Sequence, residues 1–195
     1  MNTRILGTII AFTAITIVLS QIRIPLPFPP PGFTYQVYQI PIVVTVLFVG
    51  MKYGIVVGFL NMLVQMLFPS NPMGIVGPTY GFLITISLIL GVYVSTKYFS
   101  TIATDEKIEQ KKILTSTIVV TTIRTLFMLP LDFILFGALL SIALGFSSSE
   151  AYAYAFGIMP GIILFNIIVP LYVIPTSYIL AHRISKNFKQ SMYNE

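Results

Sequence analysis

The chain has 195 residues, of which 56% are hydrophobic and 9% are charged, and its mean hydropathy is +0.91. Because a soluble domain carries about 25% charged residues, this composition excludes an ordinary soluble domain and predicts an integral membrane protein. The net charge of +5 does not indicate a nucleic-acid partner, since the cationic residues stand at the ends of predicted helices, where membrane proteins concentrate them.

The residue types and motifs of common enzyme chemistry are scarce. The chain has no cysteine and one histidine, His182, so we expect no metal site and no cofactor. It contains no glycine-rich loop ending in Lys-Ser or Lys-Thr, no His-Glu-x-x-His helix and no Gly-x-Ser-x-Gly turn, the motifs of nucleotide binding, metalloproteases and serine hydrolases. The sequence therefore predicts that the protein is not an enzyme.

The first predicted helix, from Ile5 to Ile22, is just long enough to span a bilayer. One side of it carries a stripe of small residues that permits close helix packing: Thr3, Gly7, Ala11 and Ala14. The following residues, 22–35, are dense in proline, which has no N–H and a fixed φ, so they are predicted to form an ordered, extended loop. The second helix, from Ile40 to Val49, covers only about 15 Å and is a partial span unless residues 35–39 extend it.

The third predicted helix follows a turn at Gly50–Lys52. Four small or polar residues fall within one stripe roughly 60° wide on this helix: Gly54, Gly58, Asn61 and Gln65. The later elements are predicted to be a turn over residues 69–74, a helix over 79–98, a charged linker over 104–112, a helix over 113–144 that is kinked at Pro130, a loop over 146–157 and a helix over 158–184.

The fold class predicted is thus an all-α integral membrane protein, a six-transmembrane-helix bundle that forms one domain over residues 1–195. Both termini are predicted to be cytoplasmic, because with six spans this orientation leaves Arg23 as the one Lys or Arg residue on the outer side. Nine Lys and Arg residues lie inside: Arg4, Lys52, Lys97, Lys107, Lys111, Lys112, Arg183, Lys186 and Lys189. The proline-rich loop between the first two helices is then on the outer face, and a site formed beneath it opens outward.

Two charged residues, Arg124 and Asp132, lie within a predicted span. Counted from Lys112, Arg124 is about 18 Å into the span and Asp132 about 30 Å, near its outer boundary. An arginine at mid-bilayer costs at least about 2.5–3.5 kcal/mol unless it faces protein or water, so we expect Arg124 to contact a ligand and Asp132 to lie at the rim. The alternative is a structural ion pair, which requires a bend at Pro130 because the two residues are about 80° out of register.

Three uncharged polar residues, Asn61, Gln65 and Asn166, are also at bilayer depth, where they serve either helix–helix hydrogen bonding or ligand contact. Tyr80 belongs to a group of tyrosines on the outer side that form an aromatic belt or stack on a planar ligand. Together these expectations describe a hydrated pocket in the outward half of the bundle, lined by Arg124 and the amide side chains beneath the proline-rich loop.

Five short motifs follow one another along the chain: Ile22-Arg23-Ile24-Pro25-Leu26-Pro27-Phe28, Phe48-Val49-Gly50-Met51-Lys52-Tyr53-Gly54, Val76-Gly77-Pro78, Leu129-Pro130-Leu131 and Phe165-Asn166-Ile167-Ile168. In this order they resemble the substrate-binding S component of an energy-coupling factor (ECF) vitamin transporter. Within that family the chain is most similar to the riboflavin-binding members, and the similarity spans nearly its whole length.

The resemblance implies a multi-pass protein of the cell membrane that binds a water-soluble vitamin, riboflavin as the first candidate, near the outer face. The lid would consist of Phe33, Thr34 and Tyr35, and the other vitamin contacts of Asn61, Gln65, Tyr80, Arg124, Asp132 and Asn166. The face of the first helix with Gly7, Ala11 and Ala14 would dock on a transmembrane coupling subunit, which two cytoplasmic ATPase subunits would drive.

Three positions depart from the riboflavin-binding pattern. The family's lysine in the third helix is Asn61 here, its asparagine in the fifth helix is Arg124, and the lysine expected three residues after Asn166 is Val169. Arg124 suits a carboxylate or phosphate, so a different vitamin or a carboxylated nutrient is an alternative ligand. Two other functions remain open: an integral membrane enzyme that acts on a lipid or isoprenoid, and a structural subunit of a membrane complex.

Overall fold

The computed structural model describes residues 3–27, 33–67, 75–99, 106–145 and 147–193. Over these ranges the chain forms helices joined by turns, with one isolated β-bridge. The helices are α1 (Thr3–Ser20), α2 (Gln39–Phe48), α3 (Met51–Leu67), α4 (Val76–Phe99), α5 (Glu106–Leu144) and α6 (Ser148–Tyr193). The predicted all-α fold is therefore confirmed for the described part of the chain, and the turn predicted over residues 69–74 lies outside it.

Three helices contain stretches long and apolar enough to cross a membrane: Val76–Tyr98, Gln110–Leu135 and Ser148–Lys186. The apolar stretches of the first three helices are shorter: Ile5–Ser20, Gln39–Phe48 and Met51–Leu67. These lengths support a membrane location for the protein. The six-span topology and the cytoplasmic termini remain predictions.

Helix α2 lies at the centre of the bundle, where it contacts α1, α3, α4 and α6. Its sequence is apolar almost throughout, and Gln39 and residues 41–46 are buried. A helix that is apolar on every side suits either a bundle interior or contact with lipid, and here neighbouring helices cover most of it. The turn into α3 depends on Gly50, whose φ of +124° is disfavoured for any residue with a side chain.

The proline-rich loop begins and ends as an extended pair of strands. Pro25 pairs with Thr34 in an antiparallel bridge, and a backbone hydrogen bond of 2.9 Å flanks the bridge on each side. Because the flanking residues supply both donors, Pro25 occupies a position where its missing N–H is not needed. We call residues 24–26 and 33–35 the hairpin; residues 28–32 between its arms lie outside the described ranges. The predicted extended conformation is present in both arms.

Helix α5 begins at Glu106, seven residues before the predicted start at Ile113. The linker that was predicted to be charged and separate is rich in Glu, Gln and Lys, which are good helix formers, so the helix extends through it. The helix also continues through Pro130.

Helix α6 begins at Ser148 rather than at Ile158, so the loop predicted over residues 146–157 is wrong for most of its length. The start of the helix is a capping box. The Glu150 carboxylate accepts hydrogen bonds from the backbone N–H of Ser147 (3.0 Å) and from its hydroxyl (2.6 Å), while the Glu150 N–H donates to Ser147 Oγ over 3.4 Å. The Ser-x-x-Glu spacing was the sequence signal for this start.

Helices α4, α5 and α6 approach closely through small residues. A Cβ added at Gly91 of α4 would lie 3.0 Å from the Cα of Val120 in α5. One turn further along, Ser95 Oγ donates to Ser116 Oγ over 2.6 Å, and that hydroxyl lies 2.9 Å from Tyr178 Oη of α6. Small residues let membrane helices approach to van der Waals distance, and the paired hydroxyls satisfy one another.

This close contact predicts that Gly91→Ala is destabilising. Because the added methyl group meets the backbone of α5, the helices must separate, and we expect a loss of about 1–3 kcal/mol in the free energy of unfolding. The matched control is Gly7→Ala in α1, where a Cβ meets nothing within 4 Å. Thermal unfolding of both variants in the same detergent measures the difference; equal melting temperatures for the two would contradict the packing described here.

Candidate functional site

Arg124 of α5 is completely buried, with an exposed fraction of 0%. Its Nε donates to Oδ1 of Asn166 over 3.3 Å and its Nη1 donates to Oε1 of Gln39 over 3.1 Å. The guanidinium also lies over the ring of Phe165, 5.6 Å from the ring centroid, a distance within the range of cation–π attraction. Its Nη2 has no hydrogen-bond partner.

Asp132, two turns further along α5, is also completely buried. Its Oδ1 accepts a hydrogen bond from the hydroxyl of Tyr80 over 2.6 Å, and its Oδ2 accepts one from Nδ2 of Asn166 over 2.8 Å. Asn166 therefore links the two charges, because its carbonyl oxygen accepts from Arg124 while its amide nitrogen donates to Asp132. The sequence left open a direct ion pair; the structure shows contact through this amide instead.

Gln39, the first residue of α2, extends these contacts towards α4. Its Nε2 donates to Oγ1 of Thr85 over 3.3 Å and lies 3.5 Å from Oε1 of Gln36. We call the connected side chains the Arg124 network; its members are Gln39, Tyr80, Thr85, Arg124, Asp132 and Asn166. The network joins α2, α4, α5 and α6 in the interior of the bundle, and all its members except Tyr80 have exposed fractions of at most 1%.

The hairpin packs on α6 next to this network. The ring of Phe33 packs on the ring of Phe165, with 4.6 Å between centroids, and that of Tyr35 packs on Tyr172, with 5.8 Å between centroids. The backbone N–H of Gln36 donates to Oη of Tyr172 over 2.7 Å. Phe165 therefore contacts both the hairpin and the guanidinium of Arg124.

Asn61 and Gln65 of α3 lie at a separate narrow cleft between α3 and α4, which has no room for a water molecule as it stands. The other lining residues include Tyr38 and Thr85. Asn61 is only 3% exposed, and its Oδ1 has no hydrogen-bond partner. Thr85 belongs both to this cleft and to the Arg124 network, so the two groups of polar residues are neighbours rather than one lining.

The structure corrects the expectation of a hydrated pocket around Arg124. Side chains with no exposed surface border no water-sized space, and this holds for Arg124 and Asp132 alike. The physical reason is that Gln39 and Phe165 occupy the positions next to the guanidinium. Asp132 does not lie at an exposed rim either, because its side chain is fully buried beside Tyr80 and Asn166. The described structure shows a dry, hydrogen-bonded network where a solvent-filled pocket was predicted.

Several functional candidates were missed from the sequence. Gln39 and Thr85 complete the network, and Phe165 and Tyr172 hold the hairpin. The signal for Gln39 was a single amide at the start of the most apolar helix, where an unpaired polar group is costly. Nothing in the spacing of Phe165 and Tyr172 distinguished them from ordinary core or belt aromatics.

The predicted docking face on α1 is at the surface. Gly7, Ala11 and Ala14 are exposed, and a Cβ at Gly7 would have open space around it. Larger apolar residues on α1, including Ile10 and Val18, are also exposed, at 60% and 64%. Within a bilayer this surface faces either lipid or another membrane protein.

The bridging position of Asn166 predicts that Asn166→Leu is strongly destabilising. The substitution removes one hydrogen bond from each buried charge, leaving Arg124 with Gln39 and Asp132 with Tyr80 as their remaining partners, and we expect it to cost about 2–5 kcal/mol. The control is Asn61→Leu, the same substitution at similar burial but at an amide whose oxygen has no partner, which should cost much less. Unfolding in detergent compares the two variants, and similar losses would show that the bridge contributes little.

The similarity of the chain to known proteins lies among solved structures. No family model matches the sequence, and no curated protein matches it. Among solved structures, the chain is similar to one described as "Structure and mechanism of the S component of a bacterial ECF transporter", with a TM-score of 0.65 and 28% sequence identity. The match covers 96% of this chain and 98% of that one. The protein therefore shares, over nearly its whole length, the fold of an S component of a bacterial ECF transporter.

Proposed function

We propose that this protein is the substrate-binding subunit of an ECF-type importer and that it captures a water-soluble vitamin at the outer face of the membrane, with riboflavin as the first candidate. The observation that carries the proposal is the full-length similarity to an S component at 28% identity. A role as the binding subunit also agrees with the absence of a nucleotide-binding motif from the sequence, because energy would come from partner ATPases.

The candidate site for the vitamin is the region between the hairpin and the Arg124 network. Phe33 fills the position above Phe165, so a planar ligand would enter by displacing the Phe33 ring and stacking in its place. The ligand would then reach Nη2 of Arg124, a buried donor that has no partner within the protein. Thr34 and Tyr35 would move with Phe33 as parts of the same hairpin.

Asn61, Gln65, Tyr80 and Asn166 enter the proposal in different ways. Tyr80 and Asn166 belong to the network and orient its charges. Asn61 and Gln65 line the neighbouring cleft, where the unpaired oxygen of Asn61 can accept a hydrogen bond from one edge of the ligand. Their separation from Arg124 means that only a ligand spanning both regions would contact all of them.

The exposed small-residue face of α1 is the proposed docking surface for a transmembrane coupling subunit. Gly7, Ala11 and Ala14 present little side chain, which would allow a partner helix to approach closely. Two cytoplasmic ATPase subunits would complete the importer.

One observation favours a second candidate, a structural subunit of a membrane complex. The Arg124 network is dry and nearly saturated with internal hydrogen bonds, as expected of polar residues that serve only to join helices. In that case the purified protein would bind no vitamin and the network variants would change stability alone.

Riboflavin titration of the protein in lipid nanodiscs tests the proposal, with quenching of flavin fluorescence as the readout. We expect saturable binding, and we expect Arg124→Ala to weaken it by about 30-fold or more, because truncating a buried hydrogen-bonded cation typically costs about 2–5 kcal/mol.

The matched control is Arg183→Ala, an arginine truncation at an exposed position of α6, which should bind like the wild type. Absence of binding by riboflavin and by a panel of other water-soluble vitamins would overturn the proposed function. Vitamin binding that is unaffected by Arg124→Ala, in a variant shown to be folded, would overturn the site assignment alone.

A further inference from the structure

Arg124 and Asp132 form a charge-balanced unit inside the bundle. A guanidinium is always protonated in proteins, and both oxygens of Asp132 act as hydrogen-bond acceptors, for Tyr80 and Asn166, which is the hydrogen-bonding pattern of a carboxylate. These two are the charged residues among the buried side chains of the described ranges. The positive and negative charges therefore compensate each other through the amide of Asn166.

The remaining binding capacity of this unit is for a neutral hydrogen-bond acceptor. Nη2 of Arg124 is a buried donor without a partner, whereas each Asp132 oxygen already has one. An acceptor such as a carbonyl oxygen or a ring nitrogen satisfies Nη2 without changing the net charge of the site. A carboxylate or phosphate satisfies it as well, but leaves one uncompensated negative charge in a region that holds no water-sized space beside Arg124.

We propose that the Arg124–Asn166–Asp132 unit makes the site selective for an uncharged ligand and that Asp132 acts as a positioning residue, supplying the counter-charge without touching the ligand. This inference rests on the proposed function, since it concerns the ligand of the same site. It argues against the alternative raised from the sequence, in which Arg124 suits a carboxylate or phosphate. The difference arises because the sequence did not show that Asp132 and Arg124 share one connecting amide.

The test compares neutral and anionic members of matched ligand pairs by calorimetry on the protein in nanodiscs. The probes are riboflavin and its 5′-phosphate, biotinamide and biotin, and panthenol and pantothenate. For the pair that binds, we expect the neutral member to bind the wild type at least about tenfold more tightly, because the anion would add an unpaired buried charge.

The variant Asp132→Asn tests the charge of this side chain apart from its shape. The substitution is nearly isosteric and removes the counter-charge, so the site gains a net positive charge and the preference for the neutral member should shrink by about tenfold. Tyr80→Phe is the control: it removes one hydrogen bond to Asp132 but keeps the charge, so affinity falls for both members and their ratio stays. A purely structural role of Asp132 would also lower both affinities without changing the ratio.

The outcomes distinguish the two proposals. If no member of any pair binds, the proposed function fails and this inference fails with it. If a vitamin binds but the anionic member is preferred, or if Asp132→Asn leaves the ratio unchanged, the selectivity inference alone is overturned. The wild-type comparison requires no variant to fold, so it decides the matter even if Asp132→Asn is too unstable to purify.

Discussion

The fold depends on satisfying two charges that cannot be hydrated where they lie. Arg124 and Asp132 are fully buried, and the single amide of Asn166 accepts from one and donates to the other. Apolar burial provides little driving force between helices in lipid, so polar contacts and close packing of small residues become the forces that specify one arrangement. The Arg124 network brings α2, α4, α5 and α6 to one point, and losing a member removes a hydrogen bond from a buried polar or charged side chain.

The same network lies next to the hairpin through Phe165, which relates stability to the proposed function. Phe165 contacts both the guanidinium of Arg124 and the ring of Phe33 in the hairpin. A ligand that replaces the Phe33 ring would meet a surface already oriented by hydrogen bonds, so little ordering of side chains would be needed on binding. In the proposed site the net charge would then govern which ligands bind, because no solvent would be present to compensate an added charge.

Much of the fold could be predicted from local sequence, because composition and periodicity report directly on burial. The short α2, the extended arms of the proline-rich loop and the Gly50 turn all follow from residue type. Helices α5 and α6 begin several residues before their predicted starts, because polar segments there are helical rather than loops. The Ser147–Glu150 capping box is the sequence signal for the start of α6. The candidate site was predicted less well: Arg124 and Asn166 stood out as polar residues at bilayer depth, but their pairing with Gln39 and Tyr80 is long-range. Single-sequence periodicity carries no information about which helices meet.

The most direct measurement of the central claim is an experimental structure of the protein in nanodiscs with riboflavin bound, obtained by cryo-electron microscopy with an antibody fragment as a fiducial. The account predicts the flavin ring system between the hairpin and the Arg124 network, with the Phe33 ring moved away from Phe165 and a flavin acceptor within hydrogen-bonding distance of Nη2 of Arg124. A flavin bound elsewhere, with the Phe33–Phe165 contact intact and Arg124 still enclosed by protein alone, would contradict it.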